Sequence, residues 1–257
     1  MLFGAILAEA DNRLYNNLKT TKSVFPDEIK AIESGLDLMY KLTSISTDVC
    51  TDYPDNPNFY ANHNLFVRNR QLLLQAYISC LSASYGTEFV ILRTVLENNN
   101  LMRLFNKDPQ YAFDWLPVNI QKRFSLNVQT KFGASGKHDI TYDPFPVVGS
   151  VYDDEVRKKV KKDVNKLYGQ LCNYSHPNFS GWQELVRQQG AVEVIERLPV
   201  FSPVNGETAV GLMLFIMQLT FRSFTETFRG HLLMFAIDIQ SWQRANLKLL
   251  TRFTPVE

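Results

Sequence analysis

The sequence predicts an all-α protein, a multi-helix bundle with a buried central helix and a long C-terminal helix. Apolar residues recur at steps of three and four over most of the chain, which is the spacing of one face of a helix. The segment Tyr85–Phe105 is apolar on nearly every side of the helical wheel, which is typical of a helix inside a core. With 257 residues and 45% hydrophobic residues, the chain can bury a large core. We therefore expect one helical domain that covers residues 1–257.

The first two helices are separated by a clear break. Residues 2–21 have helical spacing, and Ser23-Val24-Phe25-Pro26 interrupts it. Pro26 and the acidic residues Asp27 and Glu28 suit the first turn of a second helix, which should continue to about Thr47. Residues 50–63 are rich in proline, asparagine and aspartate, and they predict an irregular loop.

A long helical region then covers Leu65–Phe105. Gly86 is the position where a bend or a break costs least, and one continuous helix is the alternative. Pro109–Trp115 predicts one or two helical turns, and Pro117 can open another helix that carries Ile120.

The next part of the chain mixes irregular segments with one helix. Residues 131–152 contain two glycines and Pro-Phe-Pro, so we expect a loop there, and it is the best candidate for a mobile lid. A helix is predicted from Asp153 to about Ser175, because acidic residues begin it, valines and leucines form one stripe, and Pro177 ends it. Residues 177–205 should be irregular except for one small β-hairpin that turns at Gln189-Gly190.

The last helix is predicted to run without interruption through Gly206–Phe253. Its apolar stripe from Leu214 to Trp242 continues past Gly230 and is rich in phenylalanine. Such a stripe requires a matching apolar groove. The groove belongs to the Tyr85–Phe105 helix, to the two N-terminal helices or to a second copy of the chain.

Composition limits the compartment and the partners. Lysine plus arginine (27) nearly balances aspartate plus glutamate (26), so the chain has no overall field for nucleic acid or anionic lipid. The three cysteines form no CxxC motif, which fits a reducing compartment. The longest uncharged apolar run, Thr208–Phe221, has 14 residues, whereas a membrane span needs roughly 20. We expect a cytoplasmic protein that does not cross a membrane.

Arg93 and Glu97 are the first candidate site residues. They lie four residues apart on the central helix between apolar neighbours, where opposite charges need partners or water. One interpretation is a structural ion pair, and the other is a functional cleft. Arg222 and Glu226 share a face of the last helix, so a cross-helix network of all four residues is a reasonable prediction.

His176 is the second candidate. At the carboxyl end of a helix the dipole favours its imidazolium form, which can donate a proton. Asn173 lies one turn back and Tyr168 two turns back. The alternative is that His176 caps the last carbonyl groups of its helix.

Other motif searches exclude several classes of protein. The histidines have no metal-binding spacing, and the chain contains no GxGxxG, GxxxxGK[ST] or GxSxG motif, so we expect neither a metal nor another cofactor. The basic residues Lys158, Lys161 and Lys162 belong to a run that can follow a phosphate backbone. More often such a run is the solvated face of an amphipathic helix.

Two short motifs carry a resemblance to a known group of proteins. LRTVLE (92–97) and YGQLCNYSHP (168–177), in an all-helical frame, resemble HEPN-like prokaryotic proteins. The resemblance implies RNA cleavage without metal by an arginine and a histidine on one helix. Here the positions that precede His176, Gly169 to Leu171, contain no arginine, so Arg93 would have to replace it. Members without the catalytic motif are binding or defence-linked modules.

The sequence therefore leaves the enzyme question open between three hypotheses. The first is a non-catalytic helical module that binds a protein partner or a second copy of itself. The second is a metal-independent ribonuclease or RNA-binding protein, in which His176 is the general acid/base, Arg93 stabilises the phosphorane and the lysines contact the backbone. The third is a small-molecule pocket that the loop at 131–151 gates.

Overall fold

The chain forms a bundle of α-helices. The computed structural model describes residues 2–121, 162, 168–169, 171–172, 186–189, 192–195, 198–231 and 233–253. Its helices are α1 (Leu2–Val24), α2 (Pro26–Asp52), α3 (Pro57–Leu81), α4 (Tyr85–Lys107), α5 (Pro109–Trp115), α6 (Val118–Gln121), α7 (Pro203–Phe228), α8 (Leu233–Ala245) and α9 (Leu247–Phe253). Two four-residue strands, β1 (Val186–Gln189) and β2 (Val192–Ile195), pair antiparallel with Val186 opposite Ile195. The predicted all-α class is confirmed.

Proline marks the first turn of four helices, α2, α3, α5 and α7. Because proline lacks an N–H group and its φ angle is already helical, it fits this position. In three of these helices a side chain before the proline caps the free N–H groups: Asn56 in α3, Asp108 in α5 and Ser202 in α7. The predicted starts at Pro26 and Pro109 are confirmed.

The predicted loop over residues 50–63 is mostly wrong. Helix α2 continues to Asp52 and α3 begins at Pro57, so only Tyr53 to Asn56 connects them. Asn56 accepts hydrogen bonds from the N–H groups of Asn58 and Phe59, which makes the Asn-Pro pair a helix start rather than a loop.

The helical region at 65–105 is two helices. The break lies at Ser82–Ser84, where Ala83 has a φ of 60°, and Gly86 lies inside the first turn of α4. Helices α3 and α4 are antiparallel neighbours, because Asn69 contacts Asn99 whereas Asn62, one heptad earlier, contacts Asn106.

Helix α4 occupies the middle of the bundle between α3 and α7. Phe89, Leu92, Val95, Leu96 and Phe105 are almost completely buried in the hydrophobic core. This confirms the predicted buried central helix on those sides. The side that carries Val90 reaches solvent, so α4 is not enclosed all round.

The phenylalanine-rich stripe of α7 is covered within the chain. The rings of Phe224 and Phe66 are 4.4 Å apart, and those of Phe228 and Phe59 are 5.6 Å apart, measured between centroids. Both partners belong to α3. Of the three partners that the sequence allowed, the Tyr85–Phe105 helix is confirmed as one side of the groove, and the other side is α3, which was not among them.

The prediction of one helix over residues 206–253 is wrong. Helix α7 ends at Phe228, a 3-10 turn covers Arg229–His231, and α8 and α9 follow. In a straight helix Phe221 and Trp242 would be about 31 Å apart, at 1.5 Å per residue. Their ring centroids are 5.0 Å apart, and the indole N–H of Trp242 donates to the carbonyl of Ala31 at 3.1 Å. The chain reverses near Gly230 because Trp242 gains burial against α2.

Several predicted segments lie outside the described residues. They are the loop at 131–152, most of the helix at 153–175, and residues 177–185, 190–191 and 196–197 of the predicted irregular region at 177–205. Within the predicted helix, residues 162, 168–169 and 171–172 are helical. Helix α7 is long and apolar enough to cross a membrane by length and composition, and 61% of its most apolar window is buried inside the bundle.

Candidate functional site on the central helix

Arg93 and Glu97 form an ion pair on α4. Side chains four residues apart on a helix lie one above the other, and Nε of Arg93 is 3.0 Å from Oε1 of Glu97. Both side chains are partly exposed, because they lie on the same side of α4 as Val90 and not on the sides that face α3 and α7. The sequence predicts the pair between apolar neighbours within the core, whereas the structure has it at the edge of the core, with side chains 23% and 39% exposed.

Tyr168 completes a three-residue cluster with this pair. Leu171 is buried in the hydrophobic core and holds the short helical segment around Tyr168 against the bundle. The Tyr168 hydroxyl donates to Oε1 of Glu97 at 2.8 Å and accepts from Nη2 of Arg93 at 3.4 Å. The Arg93 guanidinium carbon is also 5.4 Å from the centroid of the Tyr168 ring, a cation–π geometry. We call Arg93, Glu97 and Tyr168 the Arg93 cluster.

The electrostatics of the Arg93 cluster favour one protonation state. Burial raises the pKa of Tyr168, the hydrogen bond to Glu97 raises it further, and the contact with Arg93 only partly opposes this. Burial alone would lower the pKa of Arg93, but the hydrogen bond to Tyr168 and the charge of Glu97 outweigh it, and the pKa is raised. Both raised pKa values mean that Arg93 keeps its charge and Tyr168 keeps its proton at neutral pH.

This arrangement satisfies its own charges. Glu97 pairs with Arg93 and accepts a hydrogen bond from the Tyr168 hydroxyl, so neither Arg93 nor Tyr168 is poised as a base or a nucleophile. An anionic ligand would have to share the guanidinium with Glu97. The geometry shows a polar clamp between α4 and the segment at 168–172.

The predicted network of Arg93, Glu97, Arg222 and Glu226 is wrong in its membership. Glu226 pairs with Arg222 on its own helix at 3.1 Å, and across the interface it pairs with Arg103 of α4 at 3.5 Å. Helices α4 and α7 run parallel, since Asn99 meets Thr220 and Asn106 meets Thr227. This register places Glu226 beside Arg103, two turns beyond Glu97.

The other predicted site residues are described only in part. His176, Asn173, Lys158 and Lys161 lie outside the described residues, and Lys162 is an exposed helical residue. Within the described ranges, no group of three or more histidine, cysteine or acidic side chains is arranged to hold a metal ion.

Sequence reasoning missed two buried layers of asparagine and threonine. The first layer joins three helices: the amide of Asn69 donates to Asn99 at 3.0 Å and accepts from Asn98 at 2.8 Å, and Asn99 donates to Thr220 at 2.9 Å. Asn69, Asn99 and Thr220 have no exposed surface. Buried amides require such partners, so this layer fixes how the helices align.

The second layer lies one heptad along. Asn106 donates to Thr227 at 2.9 Å, and its oxygen is 3.5 Å from the amide nitrogens of Asn58 and Asn62. Three pairs, one on each helix, are seven residues apart: Asn62 and Asn69, Asn99 and Asn106, and Thr220 and Thr227. This shared spacing in three segments, together with the Asn-Asn-Asn run at 98–100, was the signal in the sequence.

Comparison of the chain with protein-family models, curated proteins and solved structures found no match. The resemblance to HEPN-like proteins stays a prediction.

Proposed function

We propose that this chain is a non-catalytic helical module that binds a protein partner or a second copy of itself. One observation carries the proposal: α1 and α3, which contact each other, both expose large apolar side chains one helical turn apart. On α1 these are Leu14 and Leu18, and on α3 they are Leu74 and Ile78, which are 49% and 57% exposed. Exposed apolar groups arranged in this way are typical of interaction surfaces.

The Arg93 cluster supports the same proposal. Its arginine is neutralised and its tyrosine is a neutral donor, so its chemistry resembles a structural clamp more than an active site. The stripe of phenylalanines on α7, which the sequence offered as the binding seam, is occupied by α3. The binding surface therefore belongs to α1 and α3.

The proposal also includes a cellular compartment and a small β-hairpin. Cys50, Cys80 and Cys172 are free thiols, which supports a reducing compartment such as the cytoplasm. The pairing of β1 with β2 supports a β-hairpin as an appendage of the helical bundle.

Light scattering and cross-linking of the purified chain test the proposal. We expect a mass above that of one chain, or a defined complex with an isolated partner, and Leu74→Gln with Ile78→Gln should weaken the complex with a partner. The matched control is Val204→Gln, because Val204 is 74% exposed but lies at the start of α7. A strictly monomeric chain without any partner would contradict the proposal, as would equal effects of the two variants.

A second candidate, a metal-independent RNA-binding protein or ribonuclease of HEPN-like type, keeps one supporting observation. Tyr168 contacts Arg93, and His176 follows Cys172 by only four residues, a chain length that reaches at most about 14 Å. RNA should be incubated with wild type, His176→Ala and Arg93→Ala in the presence of a chelator. Cleavage by wild type that both variants lose would favour this candidate, and equal or absent cleavage in all three would remove it.

A further inference from the structure

Over residues 8–24, helix α1 is turned the opposite way from an ordinary amphipathic surface helix. Its buried residues in the second half are polar, since Asn17 is 4% exposed and Thr21 is fully buried. Its large apolar residues face outward: Leu14 is 48% exposed, Tyr15 66% and Leu18 37%. A surface helix normally places its apolar stripe on the core.

Polar contacts hold α1 in this orientation. The Asn17 amide donates to the carbonyl oxygens of Ser82 and Pro199, at 3.0 Å each, and Lys22 forms an ion pair with Glu33 of α2 at 3.0 Å. Rotating α1 to bury its leucines would break both hydrogen bonds of Asn17. The outward apolar face is therefore a fixed feature of the bundle surface.

Opposite charges lie on either side of this face. Asp11 and Lys19 are exposed and stand four residues before and after Tyr15, so all three occupy the same side of the helix. Asp11 and Lys19 are eight residues apart, about 12 Å along the axis, which is too far for an ion pair within one helix. Among the described residues neither Asp11 nor Lys19 has an ion-pair partner, so both charges can pair with those of a second molecule.

We propose that two copies of the chain associate through α1, with the two helices antiparallel and Tyr15 of each copy near the two-fold axis. In this arrangement Asp11 of one copy lies beside Lys19 of the other, twice per dimer, and Leu14, Tyr15 and Leu18 are covered. A parallel pair would instead place Asp11 beside Asp11 and Lys19 beside Lys19. The inference rests on the proposed function and names its partner as a second copy.

The size of this surface defines the kind of dimer. A specific stable interface buries roughly 1,600 Å² in total, and one pair of crossing helices supplies less than that. The dimer is therefore reversible and dependent on concentration. Self-complementarity about a two-fold axis means that each substitution acts twice.

A charge swap tests the arrangement. Sedimentation velocity over a wide range of concentration should be measured for wild type, Asp11→Lys, Lys19→Asp and the variant with both changes. Each single change places like charges side by side twice, so we expect the dimer dissociation constant to rise about tenfold. The double change recreates both ion pairs with reversed polarity and should return the constant close to that of wild type. Both substituted positions, Asp11 and Lys19, are exposed. Circular dichroism checks that each variant keeps its helices.

The outcomes separate this inference from the proposed function. A wild-type dimer that none of the charge variants alters overturns the α1 interface, while self-association itself stands. A chain that remains monomeric at all concentrations overturns the inference. In that case the variant Leu74→Gln with Ile78→Gln still tests whether the chain binds another protein. A monomer that instead co-sediments with anionic phospholipid vesicles also overturns it, because the α1 face would then contact a membrane surface.

Discussion

Single polar side chains decide the alignment of the three central helices. Asn99 is fully buried and contacts both neighbours of α4, because its oxygen accepts from Asn69 and its amide donates to Thr220. An apolar side chain would pack in many registers with similar energy, whereas a buried amide is satisfied in only one. The layer therefore contributes to the choice of register as much as to stability.

Replacing Asn99 with alanine should destabilise the protein strongly. The change removes the partner of a buried amide on Asn69 and the donor to Thr220, and each group left without a partner costs about 1–3 kcal/mol. We expect the free energy of unfolding to fall by about 2–4 kcal/mol, measured by urea denaturation. The matched control is Asn64→Ala, because Asn64 is exposed and bonds only to the carbonyl of Tyr60 within its own helix.

A double-mutant cycle separates the layer from general loss of packing. Asn99→Ala and Thr220→Val should show a coupling free energy of about 0.5–3 kcal/mol, because the two side chains share one hydrogen bond. Additive effects of the two changes would mean that the layer does not act as a unit.

Among the helices, α2 and α7 approach unusually closely at Gly35. A methyl group added there would overlap Sδ of Met217 and lie 3.2 Å from Cζ2 of Trp242. Because Gly35 has no side chain, Met217 of α7 and the Trp242 indole of α8 both pack against the same point of α2. A glycine in the middle of a helix, which costs about 1 kcal/mol relative to alanine, is tolerated here for packing.

Gly35→Ala should therefore destabilise the protein despite the better helix propensity of alanine. Overpacking in a tight core costs about 1–3 kcal/mol, and Met217 is fully buried with little room to move. Adding Met217→Ala to this variant should make the Gly35 change neutral or stabilising, measured as the difference in thermal unfolding between matched pairs. Gly169→Ala is the control, because nothing lies within 4 Å of its added methyl group. If Gly35→Ala and Gly169→Ala changed the stability equally, helix propensity alone would explain the effect and the close packing at Gly35 would not.

The elements that the sequence predicted are those with local signals. Pro26 and Pro109 restrict the backbone of their own turn, so the helices that they begin were predictable without tertiary structure. The break near Gly230 was not, because the apolar stripe continues across it and only the contact between Trp242 and Phe221 shows that the chain reverses. Periodicity reports which residues are buried, not which helix buries them.

The same distinction applies to the candidate site. The pairing of Arg93 with Glu97 follows from their spacing on one helix. Across the interface, Glu226 of α7 pairs with Arg103 of α4 and not with Arg93. That pairing depends on the parallel register of α4 and α7, which no local pattern encodes. The sequence grouped Tyr168 with His176 by helical spacing, and its contact with Arg93 is seen only in the structure, because it depends on how the two segments pack.

At the scale of the whole molecule, the shifted ionisable groups define a window of maximum stability. Hydrogen bonds from Tyr77 and Lys22 lower the pKa of Glu33, and burial together with the charge of Arg70 lowers the pKa of His63. A lowered pKa in the folded state means that stability is lost as the pH falls, from about pH 6.5 for histidine and about pH 4.3 for glutamate.

The alkaline edge of this window is set by thiols and phenols. Burial raises the pKa of Cys50 to about 11, and burial followed by the charge of Glu88 raises that of Cys80. The pKa of Tyr77 is raised by burial and by its hydrogen bond to Glu33. These groups favour their neutral forms in the folded state, so their contribution is complete below the unfolded values, about 8.5 for cysteine and about 10 for tyrosine, and is lost above them.

Cys80 should prolong the alkaline loss above about pH 11, where Cys50 no longer contributes, because Cys80 is fully buried in the core. Between its unfolded and folded pKa values the free energy of unfolding should fall by about 1.4 kcal/mol per pH unit. Urea denaturation under reducing conditions at a series of pH values should show this slope for wild type and a shallower slope for Cys80→Ala. The alanine variant is expected to be less stable at neutral pH because of its cavity, but a cavity shifts the profile without changing its slope. Cys50→Ala is the control: it should flatten the profile only up to about pH 11, whereas Cys80→Ala should flatten it above that pH as well, and parallel profiles for all three proteins would contradict the assignment.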